Sequence, residues 1–345
     1  MNMEKILVLV HTNENGELSK SHLEAFNASL QLMEQLPSSS LTVGLVGKGI
    51  EEAARNFSDD RVDRYLGIGG DQYSVSRYST DIRAAESLCK TAEATIVIAS
   101  GTSRWNRSLP GVAYRLGGRA DTHICEIQTE GEQVSVTRWY YRQRMQASQT
   151  SSKRPWFLCL DPGTYSPVQR PSADVTLERL DIPVDASALR SKTEGVVEPA
   201  SGEQTIRPDA DLLFVAGAGW TKKQSDGAAH IAEAEKNILG FLRAAQASLG
   251  GSKSMVELSG EGQQVLSFMT HLNQIGQTGS TPRHPKGLAT CCHGEEPHSV
   301  GWRFINQRRA INLDPNCGWA QGKADVLYVG DAFEIIARVN ELLSK

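Results

Sequence analysis

A two-domain α/β protein is what the sequence predicts, and three observations predict it. The chain has 345 residues, enough for roughly two domains at about 150 residues each. Short aliphatic runs alternate with stretches whose apolar residues recur at helical spacing, which is the pattern of βα units on a parallel sheet. That alternation occurs twice, before residue 120 and again from residue 211.

The first strand is 6–10, Ile-Leu-Val-Leu-Val, and Leu23, Phe26, Leu30 and Met33 make 21–36 the first helix. Strands follow at 41–46, 62–66 and 95–100, and helices at 50–57, 76–92 and 108–116, with 103–107 read as a polar loop. Beyond Ala120 the pattern is β only. The runs 122–127, 133–141 and 156–160 read as an antiparallel extension of the sheet, with Glu130-Gly131 as a turn. Residues 161–210 carry scattered prolines and charges and only brief apolar stretches such as 177–182, the composition of a connector. The second series predicts strand 211–216, helix 228–248, strand 254–258, helix 263–272, strands 287–292, 310–313 and 326–329, and a closing helix 333–343. The expected organisation is an N-terminal α/β domain 1–168, its parallel sheet extended by antiparallel strands, a connector 169–209, and a doubly wound, flavodoxin- or Rossmann-like domain 210–345.

Composition removes several function classes. A formal net charge of -4 offers no global attraction for a polyanion. The aromatic and basic run Arg138 to Arg144 fits a strand with one packed face, so nucleic acid is not an expected partner. No apolar run approaches the ~20 residues of a membrane span, and no basic leader precedes the first strand, so the expected setting is cytoplasmic and not membrane-embedded. Six cysteines without a C-x-x-C pair read as reduced core residues. Cys291 and Cys292 are neighbours in a strand-like run and would point to opposite faces, and the spacing of Cys291 to His298 with Cys317 matches no common zinc pattern, which argues against a shared metal. No G-x-S-x-G elbow, P-loop or H-E-x-x-H string occurs, so hydrolase chemistry has no foothold.

Ligands of open parallel sheets bind at the carboxyl ends of the strands, and in the second series those positions are glycine-rich and polar. Gly217-Ala218-Gly219 follows the first strand and leaves room for a phosphate, although Lys222 stands where a dinucleotide fingerprint has its third glycine. Ser252-Lys253 pairs a hydroxyl with an ammonium suited to an anion. In Gly276-Gln277-Thr278-Gly279 two glycines bracket an amide and a hydroxyl, which frees the loop to gather both on one small ligand. His293, Gly294 and His298 supply imidazoles able to donate to an electronegative ring. Asn312, Asp314 and Asp331 end strands with groups suited to ribose hydroxyls and adenine edges. A nicotinamide-dependent oxidoreductase is the competing class, but the acidic ribose-binding residue about 20 positions on is replaced by continuous helix pattern.

Taken in order, these strings resemble the electron transfer flavoprotein alpha subunit family. The resemblance runs nearly end to end and is most specific from Gly217 onward; 6–10, 102–116 and Asp161-Pro162-Gly163-Thr164-Tyr165 carry it in the first half. It implies FAD in the C-terminal domain and a heterodimer formed by the N-terminal domain with a beta subunit that holds AMP in related proteins. It also implies electron donation by flavin dehydrogenases and delivery to a quinone-linked or iron-sulfur oxidoreductase, with no substrate transformed on this chain. By the resemblance, Thr278 addresses flavin N5, His298 the pyrimidine carbonyl, Ser252 and Gly294 the pyrophosphate, and Asn312 and Asp331 the adenosine part. Departures from the family pattern are Ala218 and Lys253 in place of arginines, and His293 and Pro297 in place of Ser and Gln. Lysine cannot reproduce the planar, bidentate contacts of a guanidinium, so the flavin is expected to be held differently. A subunit of the same complex that has lost its flavin is the other reading these substitutions leave open.

Overall fold

The computed structural model describes residues 3–140, 145–168, 172–191, 206–207, 210–257, 265–275, 282–290 and 305–344. The chain divides into two compact units, Met1–Val196 and Val197–Lys345. Both are α/β, as the sequence predicts.

The first unit is built on β1 (Lys5–His11), β2 (Ser40–Gly47), β3 (Arg64–Gly69), β4 (Ile96–Ser100), β5 (Arg119–Glu130), β6 (Gln133–Tyr140), β7 (Met145–Thr150), β8 (Trp156–Leu160) and β9 (Leu177–Arg179). Their order is β7-β6-β5-β8-β4-β1-β2-β3-β9. The helices are α1 (Lys20–Gln35), α2 (Ile50–Ala54), α3 (Tyr78–Thr91) and α4 (Ser103–Arg115). β1 is apolar at every central position because both faces are covered. Ile6, Val8 and Val10 join the core that holds Phe26 and Leu30 of α1, while Leu7 and Leu9 join the one that holds Leu88 of α3 and Trp105 of α4. Each such side chain stabilises the fold by about 1.5–3 kcal/mol relative to its exposed state.

Several expectations need correction here. β8 was expected to extend the sheet antiparallel, yet it lies parallel between β4 and β5; the antiparallel extension is β5 with β6 and β7. β3 starts at Arg64 and ends at Gly69, two to three residues later than the apolar pattern suggests. Gly67, beyond the expected strand end, allows close packing, since a Cβ there would lie 2.8 Å from both Ile50 and Leu177 side-chain carbons. α4 begins at Ser103, where a polar loop was expected. Thr102 caps it by accepting the Trp105 amide at 3.3 Å, and the polar residue Arg104 turns inward to a buried ion pair with Asp81 at 2.7 Å. Within the stretch read as connector, Leu177–Arg179 pairs parallel with β3.

The second unit is a five-stranded, wholly parallel sheet of β10 (Leu212–Ala216), β11 (Ser248–Gly251), β12 (Lys286–Thr290), β13 (Gln307–Asn312) and β14 (Val326–Val329), in the order β11-β10-β12-β13-β14. Its helices are α5 (Ile231–Ala244), α6 (Lys253–Glu257), α7 (Gly318–Lys323) and α8 (Ala332–Leu343). Phe214, Ala216 and Ile311 face Ile238 and Phe241 of α5 and Phe333 and Ile336 of α8; Leu213, Val215 and Ala310 pack the other face with Ile275 and Trp319. The strand expected at 254–258 is helix α6, and the strand lies one step earlier in the glycine-rich Ser248–Gly251. Gly250 and Gly251 read as a helix stop, but they are fully buried strand residues against which Ile275 and Met269 pack. The helix expected at 263–272 is replaced, over its described part, by turns and the 3₁₀ turn His271–Asn273, closed by a reciprocal Thr270 and Asn273 capping box.

Candidate functional site

The strand order of the second unit reverses at β10, whose neighbours are β11 on one side and β12 on the other. The crevice outside the carboxyl ends at such a switch point is where open α/β sheets bind ligands. Every described residue singled out from the sequence falls on that edge. Gly217 and Gly219 follow β10, Ser252 and Lys253 follow β11, Asn312 ends β13 with Asp314 just beyond, and Asp331 follows β14. Gly276, Gln277, Thr278, Gly279, His293, Gly294 and His298 lie outside the described residues. The chain leading to Gly276 is anchored beside β11, where Gln274 bridges to Gly251 and the Ile275 amide donates to the Gly251 carbonyl at 3.1 Å. Thr290, three residues before His293, ends β12.

Local chemistry positions these groups. The Gly217 amide, which the sequence offered to a phosphate, donates to the Thr290 carbonyl at 2.8 Å, and Gly219 lies within the buried 3₁₀ turn Ala218–Thr221. Ser252 is buried and caps α6, its Oγ accepting the Met255 amide at 3.2 Å. Asp331 caps α8 by accepting the Phe333 amide at 2.7 Å. Asp314 Oδ1 accepts the Asn316 amide at 2.8 Å. Asn312 differs from the others. Its Oδ1 accepts the Asp314 amide at 3.0 Å, but its Nδ2, in a side chain 1% exposed, has no hydrogen-bond partner among the described residues. A buried, unpaired amide donor costs about 1–3 kcal/mol unless something accepts its protons.

Two residues of this edge escaped the sequence reading. Trp220, fully buried, donates from Nε1 to Thr290 Oγ1 at 2.8 Å, and Thr290 Oγ1 donates to the Val215 carbonyl at 2.9 Å. Together with the Gly217 bond they fasten the loop after β10 across the end of β12. Trp220 also packs against Phe333 at a tilt of 50°, ring centroids 4.6 Å apart, which ties the same loop to the start of α8. The available signal was a tryptophan directly after G-x-G.

The first unit has its own switch point, between β1 and β4, and fills it with side chains. His11 Nε2 meets Thr102 Oγ1 at 2.9 Å and His22 Nδ1 meets Ser100 Oγ at 2.8 Å. The His11 ring packs edge-on to both His22 and Trp105, with centroids at 4.5 and 5.5 Å. Burial holds His22 at a pKa of about 3 and lowers His11 well below its ordinary value, the neighbouring His22 and Arg104 charges adding to the effect on His11. Both imidazoles are therefore neutral near pH 7.

Residues 6–185 match the family model of the electron transfer flavoprotein domain, more than half of the chain. The chain belongs to the electron transfer flavoprotein family. It is similar along nearly its whole length to the electron transfer flavoprotein subunit alpha of Clostridium acetobutylicum, 26% identical with 93% of this chain and 92% of the relative covered. Protein FixB of Clostridium saccharobutylicum is 24% identical over 95% and 94% of the two chains. The subunit alpha of Thermoanaerobacterium thermosaccharolyticum is 23% identical over 100% and 99%. An electron transfer flavoprotein chain of the alpha type thus combines a first unit that carries most of the family domain with a second unit whose crevice holds one of the buried donors unpartnered among the described residues. Among the described residues no helix is long and apolar enough to cross a membrane.

Proposed function

We propose that this chain is the FAD-binding alpha subunit of a cytoplasmic electron transfer flavoprotein, paired with a beta subunit. It takes electrons from flavin dehydrogenases and passes them to a quinone-linked or iron-sulfur oxidoreductase without transforming a substrate of its own. The observation that carries the reading is Asn312, a buried amide donor without a partner among the described residues, at the carboxyl end of β13, with Asp314 just beyond it and Asp331 following the neighbouring β14. An adenosine group supplies the acceptors that this amide lacks. FAD, when bound, supplies one- and two-electron carriage.

The chain's own residues hold and shield it. Asn312, Asp314 and Asp331 line the adenosine end and Ser252 and Gly294 the pyrophosphate. Gly276 to Gly279, His293 and His298 are assigned to the ring. The clamp of Gly217 and Trp220 on Thr290 keeps the loop after β10 in one position, so the crevice is preorganised before a ligand arrives. With Ala218 and Lys253 in place of arginines, fewer planar cationic donors surround the ring, and its potentials are set differently than in relatives that have them. The test is the visible spectrum of the chain co-purified with its beta subunit, followed by cofactor extraction. Flavin bands and extracted FAD support the reading; a colourless heterodimer contradicts it. Unchanged one-electron potentials after Lys253→Arg and Ala218→Arg would remove the proposed role of those two positions.

A further inference from the structure

β11 is an edge strand of the second sheet, paired along its length with β10, and its sequence gives it little hold of its own. It reads Ser-Leu-Gly-Gly, with Ser248 as its polar side chain. A glycine-rich strand specifies its register weakly, and a slip by one residue turns every side chain to the opposite face. Ser252 and Lys253 follow β11 directly, so wherever the strand is set those two groups are set with it. A slip would turn them away from the crevice.

The opposite, amino edge of the sheet supplies an anchor. Ile206 and Arg207, expected in the connector, belong to the second unit, and Ile206 packs against the core of Leu213, Val215 and Ile275. The Arg207 amide donates to Ser248 Oγ at 2.7 Å, and its Nη2 donates to the Gln246 carbonyl at 2.6 Å. Its own carbonyl accepts from His284 Nε2 at 2.9 Å. Ser248 and His284 are buried, where such bonds are stronger than in water. Gln246, just past α5, has a φ of 48°, in the left-handed region that favours glycine, and presents its carbonyl to Arg207 from there. The register sets Ser248 beside Leu213 and Lys286 beside Leu212, so the start of β11 and the start of β12 stand nearly level on either side of β10. His284 comes two residues before β12, and Arg207 therefore staples both neighbours of β10 at one edge.

We propose that Arg207 is a positioning residue for the cofactor crevice: with Ser248 and His284 it pins β11 in register and so places Ser252 and Lys253. The staple acts from about 13 Å away, four strand residues at about 3.3 Å each. The inference rests on the FAD reading above and adds to it residues at the far edge of the sheet that touch no part of the ligand. Main-chain ladder bonds can re-form in a shifted register, whereas a side-chain anchor cannot. A crevice whose groups are already placed spends less binding free energy on ordering, so the staple raises affinity.

The experiment uses the heterodimer of the full chain with its beta subunit, stripped of cofactor and titrated with FAD. Arg207→Ala with Ser248→Ala should weaken FAD binding at least about tenfold, equivalent to about 1.4 kcal/mol. Arg207→Lys, which keeps a donor for the Gln246 carbonyl, should bind within about twofold of wild type. In the double variant without FAD, amide exchange should quicken in 248–255 and stay unchanged in 312–316, a pattern that general loosening of the unit does not give. Circular dichroism reports folding; if the double variant does not fold, Ser248→Ala alone carries the test, with an expected loss of about threefold. Unchanged FAD affinity in the folded variants overturns the proposal, as does exchange that quickens equally in both segments. A wild-type heterodimer that takes up no FAD removes the cofactor reading and this inference with it, whereas wild-type uptake with unaffected variants removes this inference alone.

Discussion

The two sheets of this chain meet the same architectural problem in opposite ways. Each has a switch point where neighbouring strands diverge and leave a crevice at their carboxyl ends. In the first unit His11, His22 and Trp105 occupy it, their rings packed edge-on and their nitrogens partly bonded to Thr102 and Ser100. In the second unit the loops are fastened by Trp220 and Thr290, and Asn312 Nδ2 has no partner among the described residues. The difference teaches that the fold alone does not make a binding site. In the first crevice His22 Nε2 and Trp105 Nε1 are, like Asn312 Nδ2 in the second, buried without a partner among the described residues; what separates the two is that side chains fill the first, while the second gathers Ser252, Asp314 and Asp331 at its edge.

The largest expected effect lies in the filled crevice. His22 has a folded pKa of about 3 against an ordinary 6.5, so the unfolded chain takes up the proton first as the pH drops. Stability is complete above pH 6.5 and is lost as pH falls towards 3, at about 1.4 kcal/mol per pH unit for one such group. Urea unfolding of the first unit's transition at pH 7, 6 and 5 should show this slope, and His22→Gln should reduce it by one proton's worth. An equal slope in both proteins would mean that the imidazole is not held neutral.

Next comes the open crevice. Asn312→Asp keeps the acceptor that holds the Asp314 amide and replaces only the unpaired donor. FAD affinity should fall by at least about tenfold, measured by titration of the apoprotein with FAD. Thr290→Val leaves the Trp220 indole N–H buried without its acceptor and should destabilise the second unit by about 1–3 kcal/mol. The smallest effects belong to the caps. Ser252→Ala and Asp331→Ala should each cost about 1 kcal/mol in thermal unfolding. A larger loss of FAD affinity than of stability in Asp331→Ala would sharpen its assignment to the ligand.

Much of this contrast was legible in the sequence. The aliphatic strand 6–10 and the closing helix declared themselves by periodicity, because burial on both faces or on one stripe leaves a plain pattern. The carboxyl-end residues Gly217, Asn312 and Asp331 could be placed because strand ends follow from strand assignments. Strand Ser248–Gly251 could not, since two glycines chosen for the approach of Ile275 and Met269 look like a turn when their neighbours are unseen. Ser103 to Arg107 misled for the converse reason: Arg104 is polar, but its charge is spent on the buried Asp81. Asn312 was nominated for its residue type, while the feature that distinguishes it, a donor left over after the turn is made, depends on three-dimensional neighbours.

The central claim is that the second crevice, and not the first, is the flavin site. Amide hydrogen exchange of the heterodimer stripped of cofactor, with and without added FAD, tests it most directly. The account predicts slower exchange in segments 216–219, 251–255, 312–316 and 330–334, and no change around His11 and Thr102. Protection confined to the His11 edge, or none at either edge while FAD binds, would contradict it.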